Sequence, residues 1–246
     1  MAEQQAPHRY SRSPRPSRTT RVTNELGRAI ISGHYPQNTI LPGDAELLAQ
    51  FGVSRTVLRE AMKILAGKGL LQSKARIGTR VRGRTDWNLF DPDVLIWHAE
   101  IGFDAAFIAH VGEMRMALEP EAAALAAERR SADQLAELYD WVKRMGAKNV
   151  SAAEFVAADL NFHLAVATAA ANPFLKSIST LIEVALVAAL SRSSPVDDSV
   201  GLARSVARHR AIAEAIDHRE PAAAREAMRV VIGEGMARSA GRLGKA

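Results

Sequence analysis

The 246-residue chain contains no cysteine, which excludes a disulfide scaffold and any Cys-ligated zinc or iron–sulfur centre. Aromatic residues make up only 5% of it, so its core must be filled by small aliphatic side chains. Long hydrophobic runs are missing as well. The longest weakly polar stretch, Ile178 to Leu190, is interrupted by Ser179, Thr180 and Glu183 and is too short to span a bilayer. The first twenty residues hold no apolar run and therefore no secretory signal, and the expected location is the cytoplasm. Hydrophobic residues nonetheless reach 48% of the chain against 24% charged, a balance that excludes collagen-like or wholly disordered classes.

Charge is unevenly divided. Residues 1–86 hold 15 Lys/Arg against 6 Asp/Glu, a net of +9, and residues 87–246 hold 17 against 21, a net of −4. Such a split suggests a basic part that meets a polyanion, joined to a part with another task. Four segments follow from composition and periodicity: a basic arm over 1–20, a compact basic unit over 21–82, a connector over 83–103 and an all-helical domain over 104–240. The arm carries Arg9, Arg12, Arg15 and Arg18 among Ser and Pro. Without an apolar face it reads as a disordered segment that adds phosphate attraction, or as an extension without a role.

From Arg21 to Val81 the pattern predicts three helices and two short strands. Val22, Leu26, Ala29 and Ile30 share one face of the first helix, which Gly33 stops. Asp44 is the expected N-cap of a short second helix through Leu47, Leu48 and Phe51. Gly52 allows a sharp turn, and Ser54 caps a third helix with Val57, Leu58, Ala61, Met62 and Leu65 buried. Arg55, Arg59 and Lys63, spaced four apart, form an exposed cationic strip on that helix. Lys74 and Arg76 sit at the tip of the following hairpin. A capped basic helix after a glycine turn, followed by a basic hairpin, suits a duplex: the helix start, Ser54, Arg55 and Thr56, meets base edges in the major groove, and the hairpin tip meets the flanking backbone or minor groove. A solvated helix face accounts for the strip alone but not for the combination.

The string Leu41-Pro42-Gly43-Asp44-Ala45-Glu46-Leu47-Leu48-Ala49, followed by Gly52-Val53-Ser54-Arg55-Thr56-Val57-Leu58-Arg59-Glu60-Ala61 and Gly78-Thr79-Arg80-Val81, resembles the winged helix-turn-helix of the GntR family of bacterial regulators. The resemblance implies operator contacts by Arg55, Thr56, Arg59, Lys74 and Arg76. It departs at Ala45, where family members often carry a basic residue.

Beyond the connector, helices are expected at about 91–101, 104–130, 132–147, 151–170, 173–192, 200–218 and 221–240, an antiparallel bundle rich in Ala and Leu. Asp159 and His163 are four residues apart on one helix face, and His163 lines up with Val166 and Ala170 toward the interior. His209 shares its face with Ile212 and Ile216. Each histidine alone reads as a satisfied core residue. Together with an inward aspartate they form a candidate site, because unpaired burial of such groups costs about 1–3 kcal/mol each. Arg115, on a face with Leu118, Ala122 and Leu125, points inward toward either a ligand carboxylate or Glu119. Arg192 and Arg204 are weaker candidates of the same kind.

This half, with Glu113-Met114-Arg115-Met116-Ala117-Leu118-Glu119-Pro120, Asp159-Leu160-Asn161-Phe162-His163 and Arg208-His209-Arg210, is similar to the FCD effector domain of the FadR subfamily of GntR regulators. The resemblance implies one divalent, zinc-like ion on Asp159, His163 and His209, with a carboxylate effector beside it and Arg115 among its contacts. The family's fourth ligand position falls on Val231. Three ligands leave positions open for effector and water, while the same side chains, without metal, suit direct hydrogen bonds to a polyhydroxylated acid. The stretch Trp87 to Trp97 is similar to that of sugar-acid regulators in the subfamily. The expected protein is a mostly α, homodimeric repressor that leaves operator DNA when a small carboxylate such as an aldonate or hexuronate binds. The alternative is an activator or dual regulator of the same architecture sensing another carboxylate. A metal-dependent enzyme is opposed by the absence of a nucleophile elbow, a phosphate loop or an HExxH motif.

Overall fold

Ser17 caps the first helix by accepting a hydrogen bond from the Thr20 amide, so α1 (Arg18–Ile31) starts earlier than the apolar stripe at Val22 indicates. The computed structural model describes residues 17–74, 77–181 and 183–243. The end of the expected arm is therefore helical, and residues 1–16 lie outside the described part. The chain divides between Asn88 and Leu89 into two compact units, and the stretch read as a connector contributes to both.

In the first unit α1 and α2 (Asp44–Phe51) pack on α3 (Arg55–Gly67). Val22, Leu26, Ile30, Leu47, Leu58, Ala61 and Leu65 are buried in their core, as the 3.6-residue spacing requires. The N-cap of α2 is Gly43, not Asp44, and no side chain caps that end. Asp44 is instead the first helical residue, where its charge faces the positive end of the helix. Gly52 ends α2 in the left-handed conformation, φ 61° and ψ 43°. This turns the chain sharply into α3, whose N-cap Ser54 accepts from the Val57 amide.

Strands β1 (Leu71–Lys74) and β2 (Gly78–Val81) pair antiparallel, with Gln72 opposite Arg80 and Ser73 opposite Thr79. Residues 38–41 run along the other edge of β2 through Leu41 N to Thr79 O at 2.8 Å and Val81 N to Thr39 O at 2.9 Å. Gly69, at φ +80°, lies against the Asp86 carbonyl so closely that a Cβ would collide with it.

The second unit contains α4 (Pro92–Ile101), α5 (Ala105–Arg129), α6 (Ala132–Met145), α7 (Ala152–Ala169), α8 (Pro173–Leu181), α9 (Glu183–Ser193), α10 (Ser199–Asp217) and α11 (Pro221–Leu243). Helix α7 buries most of its surface, from Phe155 and Val156 to Ala167 and Ala169, and leaves one stripe, Ala157, Asn161, Leu164 and Thr168, less covered. Around it α5, α6, α10 and α11 enclose a core dominated by alanine, with Phe155, Phe162, Leu138 and Met145 as its large members. A second apolar cluster joins α4, the start of α5, α7 and α9 through Phe103, Phe107, Leu160 and Leu186. Helix starts are capped by Asp104, Ser131 and Ser151, the last two in reciprocal capping boxes with Gln134 and Glu154. Arginines close the other ends. Arg129 donates to the Ala170 carbonyl at 3.1 Å, Arg130 to that of Asp217 at 2.9 Å and Arg219 to that of Glu128 at 2.8 Å, each placing positive charge where helix carbonyls lack donors.

Candidate DNA-reading surface and buried charge cluster

On α3 the side chains of Arg55, Thr56 and Arg59 are exposed. With Asp44 of α2, they line a groove whose opposite side is formed by Ser73 and Thr79 of the β-hairpin. Ser54 is also exposed, with its hydroxyl committed to capping α3. Lys63 is exposed but pairs with Glu60 at 3.0 Å, so the cationic strip is partly neutralised at its far end. The hairpin tip, Ala75 and Arg76, and the side chain of Lys74 lie outside the described residues. One cross-strand pair that lines the groove was missed from sequence, and beside it an arginine on the other face of the hairpin. Ser73 and Thr79, whose hydroxyls are 3.2 Å apart, face the groove, and the exposed Arg80 is steadied by donating to the Asn38 carbonyl at 2.9 Å. Strand alternation separates them: Ser73 and Thr79 are one cross-strand pair on the groove side, and Gln72 and Arg80, the next pair, lie on the opposite face.

In the second unit Arg115, Asp159, His163 and His209 are all buried and meet. From α5, Arg115 forks onto Glu119, with Nε to Oε1 at 2.7 Å and Nη2 to Oε2 at 3.4 Å, and Nη2 also lies 3.1 Å from His163 Nε2. From α7, Asp159 Oδ1 is 3.2 Å from His163 Nε2 and 2.9 Å from His209 Nε2 of α10. His163 Nδ1 lies 2.6 Å from Glu119 Oε2, at ion-pair distance but without the alignment of a hydrogen bond. His209 Nδ1 is 2.8 Å from the Ser205 carbonyl, so both of its ring nitrogens face oxygen acceptors. Of the two sequence alternatives for Arg115, Glu119 is its partner. Sequence reasoning did not foresee that Glu119 also meets His163.

These contacts set the ionisation of the cluster. Burial opposes the charge of Glu119, but Arg115 and then His163 outweigh it and bring its pKa down to about 2. Burial likewise opposes ionisation of Asp159, and His209 and His163 overcome it, holding that carboxyl well below the usual range. For His163 burial and Arg115 work against the imidazolium, while Glu119 and Asp159 favour it and raise its pKa. One guanidinium against two carboxylates leaves a negative charge that a single imidazolium balances.

Residues 18–81 match the family of bacterial regulatory proteins named gntR, and residues 110–234 match the FCD domain. The chain belongs to the GntR family. This GntR regulator is 33% identical over 216 residues to the galactonate operon transcriptional repressor of Escherichia coli strain K12, covering 88% of this chain and 94% of the relative. It is 28% identical over 200 residues to the transcriptional repressor NanR of Klebsiella aerogenes, covering 81% and 76%. A solved structure of Lar from Listeria monocytogenes shares the fold at 19% identity and a TM-score of 0.52, over 93% of this chain and 99% of that one. The GntR regulator is thus a DNA-binding transcription regulator rather than an enzyme, with a winged helix-turn-helix and a helical FCD domain. Among the described residues, no helix is long and apolar enough to cross a membrane.

Asp159, His163 and His209 each offer one ligand atom, all within 4.8 Å of one another. Their donor chemistry fits a cation. Both ring nitrogens of His209 face oxygen acceptors, the Ser205 carbonyl at Nδ1 and Asp159 at Nε2, and a metal ion between Nε2 and the carboxylate would take the place of the proton shared there. Val231 is buried among apolar side chains and supplies no fourth donor. Arg204 is exposed on α10 and does not point inward, and the side chain of Arg192 lies outside the described residues.

Proposed function

We propose that this regulator acts in the cytoplasm as a homodimeric repressor of a pseudo-palindromic operator and that a small carboxylate, a sugar acid such as an aldonate or hexuronate, releases it. The observation that carries the reading is the buried cluster of Arg115, Asp159, His163 and His209 in a chain whose other unit is a winged helix-turn-helix. A closed helical core gains nothing in stability from such a set compared with hydrocarbon, whereas a sensor needs groups that bind an anion. Galactonate, in the relative's name, supplies the class. Two half-sites suit a two-fold dimer, since one short recognition helix reads few base pairs.

Asp159, His163 and His209 would hold a divalent ion, which when bound supplies open coordination positions for an acid. Arg115 would bind the effector carboxylate and so orient it. Asp159 orients both imidazoles through Oδ1, and the Ser205 carbonyl orients the His209 ring from Nδ1. Effector and operator are linked reciprocally: whatever factor the acid takes from operator affinity, the operator takes from affinity for the acid.

The test is a thermal-shift and titration panel of aldonates, uronates, lactate and dicarboxylates, with and without chelator, followed by operator binding to a fragment selected with the purified protein. An acid that stabilises the protein and weakens operator binding is expected. His163→Ala should retain operator binding and lose the response. Full response in that variant would place the effector elsewhere.

A further inference from the structure

His163 Nε2 faces a donor and an acceptor at once. Nη2 of Arg115 is 3.1 Å away and Oδ1 of Asp159 is 3.2 Å away. A guanidinium only donates, so its hydrogen bond is made to a lone pair on Nε2, and the ring's proton then belongs on Nδ1, which lies 2.6 Å from Glu119 Oε2. An imidazole nitrogen without a proton has a single in-plane lone pair. It is the same lone pair through which His163 would join Asp159 and His209 in holding an ion.

Arg115 is anchored more firmly elsewhere than at this contact. Its Nε is 2.7 Å from Glu119 Oε1, whereas Nη2, divided between Glu119 and His163, is 3.4 Å from Glu119 Oε2. The fork onto Glu119 is thus half closed, and loss of the contact with His163 would let Nη2 complete it. The guanidinium also has room to move. A cavity of about 340 Å3 lies between α5, α9 and α11 with Arg115 in its wall, lined mainly by hydrocarbon such as Ile108, Ala189 and Met236 and open to solvent at the exposed Ala105 and Ala237.

We propose that Arg115 is a tethered cation that competes with the divalent ion for His163: the two exclude each other at Nε2, and a guanidinium displaced from it stays on Glu119 through Nε and closes its fork there, along the cavity wall. Metal content and the position of Arg115 are then coupled, and Arg115 lowers the affinity of a site to which it contributes no ligand. The proposal rests on the metal role inferred above for Asp159, His163 and His209.

Zinc titration of the chelator-treated full chain against a chromogenic chelator tests it. Arg115→Lys keeps the positive charge four residues from Glu119 but replaces the fork by a single nitrogen, with none left over for His163. It should bind zinc at least tenfold tighter than wild type, since a hydrogen bond to a charged group is worth about that factor. Arg115→Met should bind at least as tightly as the lysine variant. In wild-type protein, which needs no variant to fold, the side-chain nitrogen NMR signal of Arg115 Nη2 should shift on zinc addition while that of Nε stays in place. Equal or weaker binding by Arg115→Lys, or a gain confined to Arg115→Met and hence due to net charge alone, overturns this inference and leaves the metal reading standing, as does an Nη2 signal indifferent to bound zinc. No zinc bound by wild type or by either variant, each with an intact thermal transition, overturns both.

Discussion

His209 Nε2 faces Asp159 Oδ1 at 2.9 Å across α10 and α7, while Nδ1 of the same ring is turned to the Ser205 carbonyl at 2.8 Å. Both nitrogens therefore face oxygens that accept, the carboxylate while Asp159 is ionised. A histidine in this state is prepared for a cation. Adding zinc to chelator-treated protein should raise the unfolding midpoint by about 5 °C or more, since saturating a folded-state site contributes a few kcal/mol. Asp159→Asn should abolish most of the rise, and an equal rise in that variant would remove the three residues from the metal-binding role.

Glu119 makes the cluster sensitive to acid. Its pKa is about 2 in the folded protein against an ordinary 4.5. A depressed carboxyl stabilises the fold fully above the unfolded value and loses that contribution as pH falls from 4.5 toward 2. The contribution is at most about 3 kcal/mol on the linkage scale. His163, with a raised pKa, has the opposite sign: its share is complete below about pH 6.5 and is lost as pH rises through the folded value. Denaturant titrations of chelator-treated protein should show stability falling between pH 4.5 and 2.5, less steeply in Glu119→Gln. Parallel curves for the two proteins would show that Glu119 does not carry the acid limb.

The DNA-reading surface predicts two kinds of defect. Arg55→Ala should weaken operator binding by about 1–3 kcal/mol and relax preference at one base pair in each half-site. Arg80→Ala, on the hairpin, should weaken all sequences alike and reduce the salt dependence by about one phosphate contact per protomer. Lys63→Ala should do less than either, because Glu60 already pairs with Lys63. Binding-site selection at two salt concentrations separates these outcomes, and an unchanged base preference in Arg55→Ala would remove that residue from readout.

Gly69 tests the first unit. Its φ of +80° and its closeness to the Asp86 carbonyl exclude a side chain on two independent grounds, strain and collision. Gly69→Ala should destabilise the winged unit by about 2 kcal/mol or more and reduce operator binding, with acid binding in the FCD unit retained. Wild-type stability in that variant would mean that the 86–87 backbone yields easily.

Much of this was legible in the chain itself. The buried stripe of α3, its Ser54 cap and the turn at Gly52 follow from local rules that need only a few neighbouring residues. The inward faces of His163 and His209 follow from helical spacing to Val166, Ile212 and Ile216. The early start of α1 was missed because a Ser17 cap outweighs an absent apolar stripe, and Gly43 replaced Asp44 as the cap of α2 because backbone geometry selects that position. The cavity beside Arg115 was invisible, since a void is defined by the separation of three helices and no single segment encodes it.

Composition and periodicity were enough for the division of labour: a basic unit with a cationic recognition helix, and an alanine-rich helical unit with one arginine, one aspartate and two histidines turned inward. Periodicity suffices for that, because it fixes the side of a helix on which a residue lies. Which atoms meet depends instead on packing between helices. That Glu119 joins Arg115 to His163, that Asp159 places one oxygen between two imidazoles, and that Arg115 keeps one edge toward a hydrocarbon cavity all depend on how far apart and at what rotation α5, α7, α9, α10 and α11 pack. Those distances come from the summed fit of many core side chains, and hydrogen bonds and metal ligation are sensitive to them at a few tenths of an ångström.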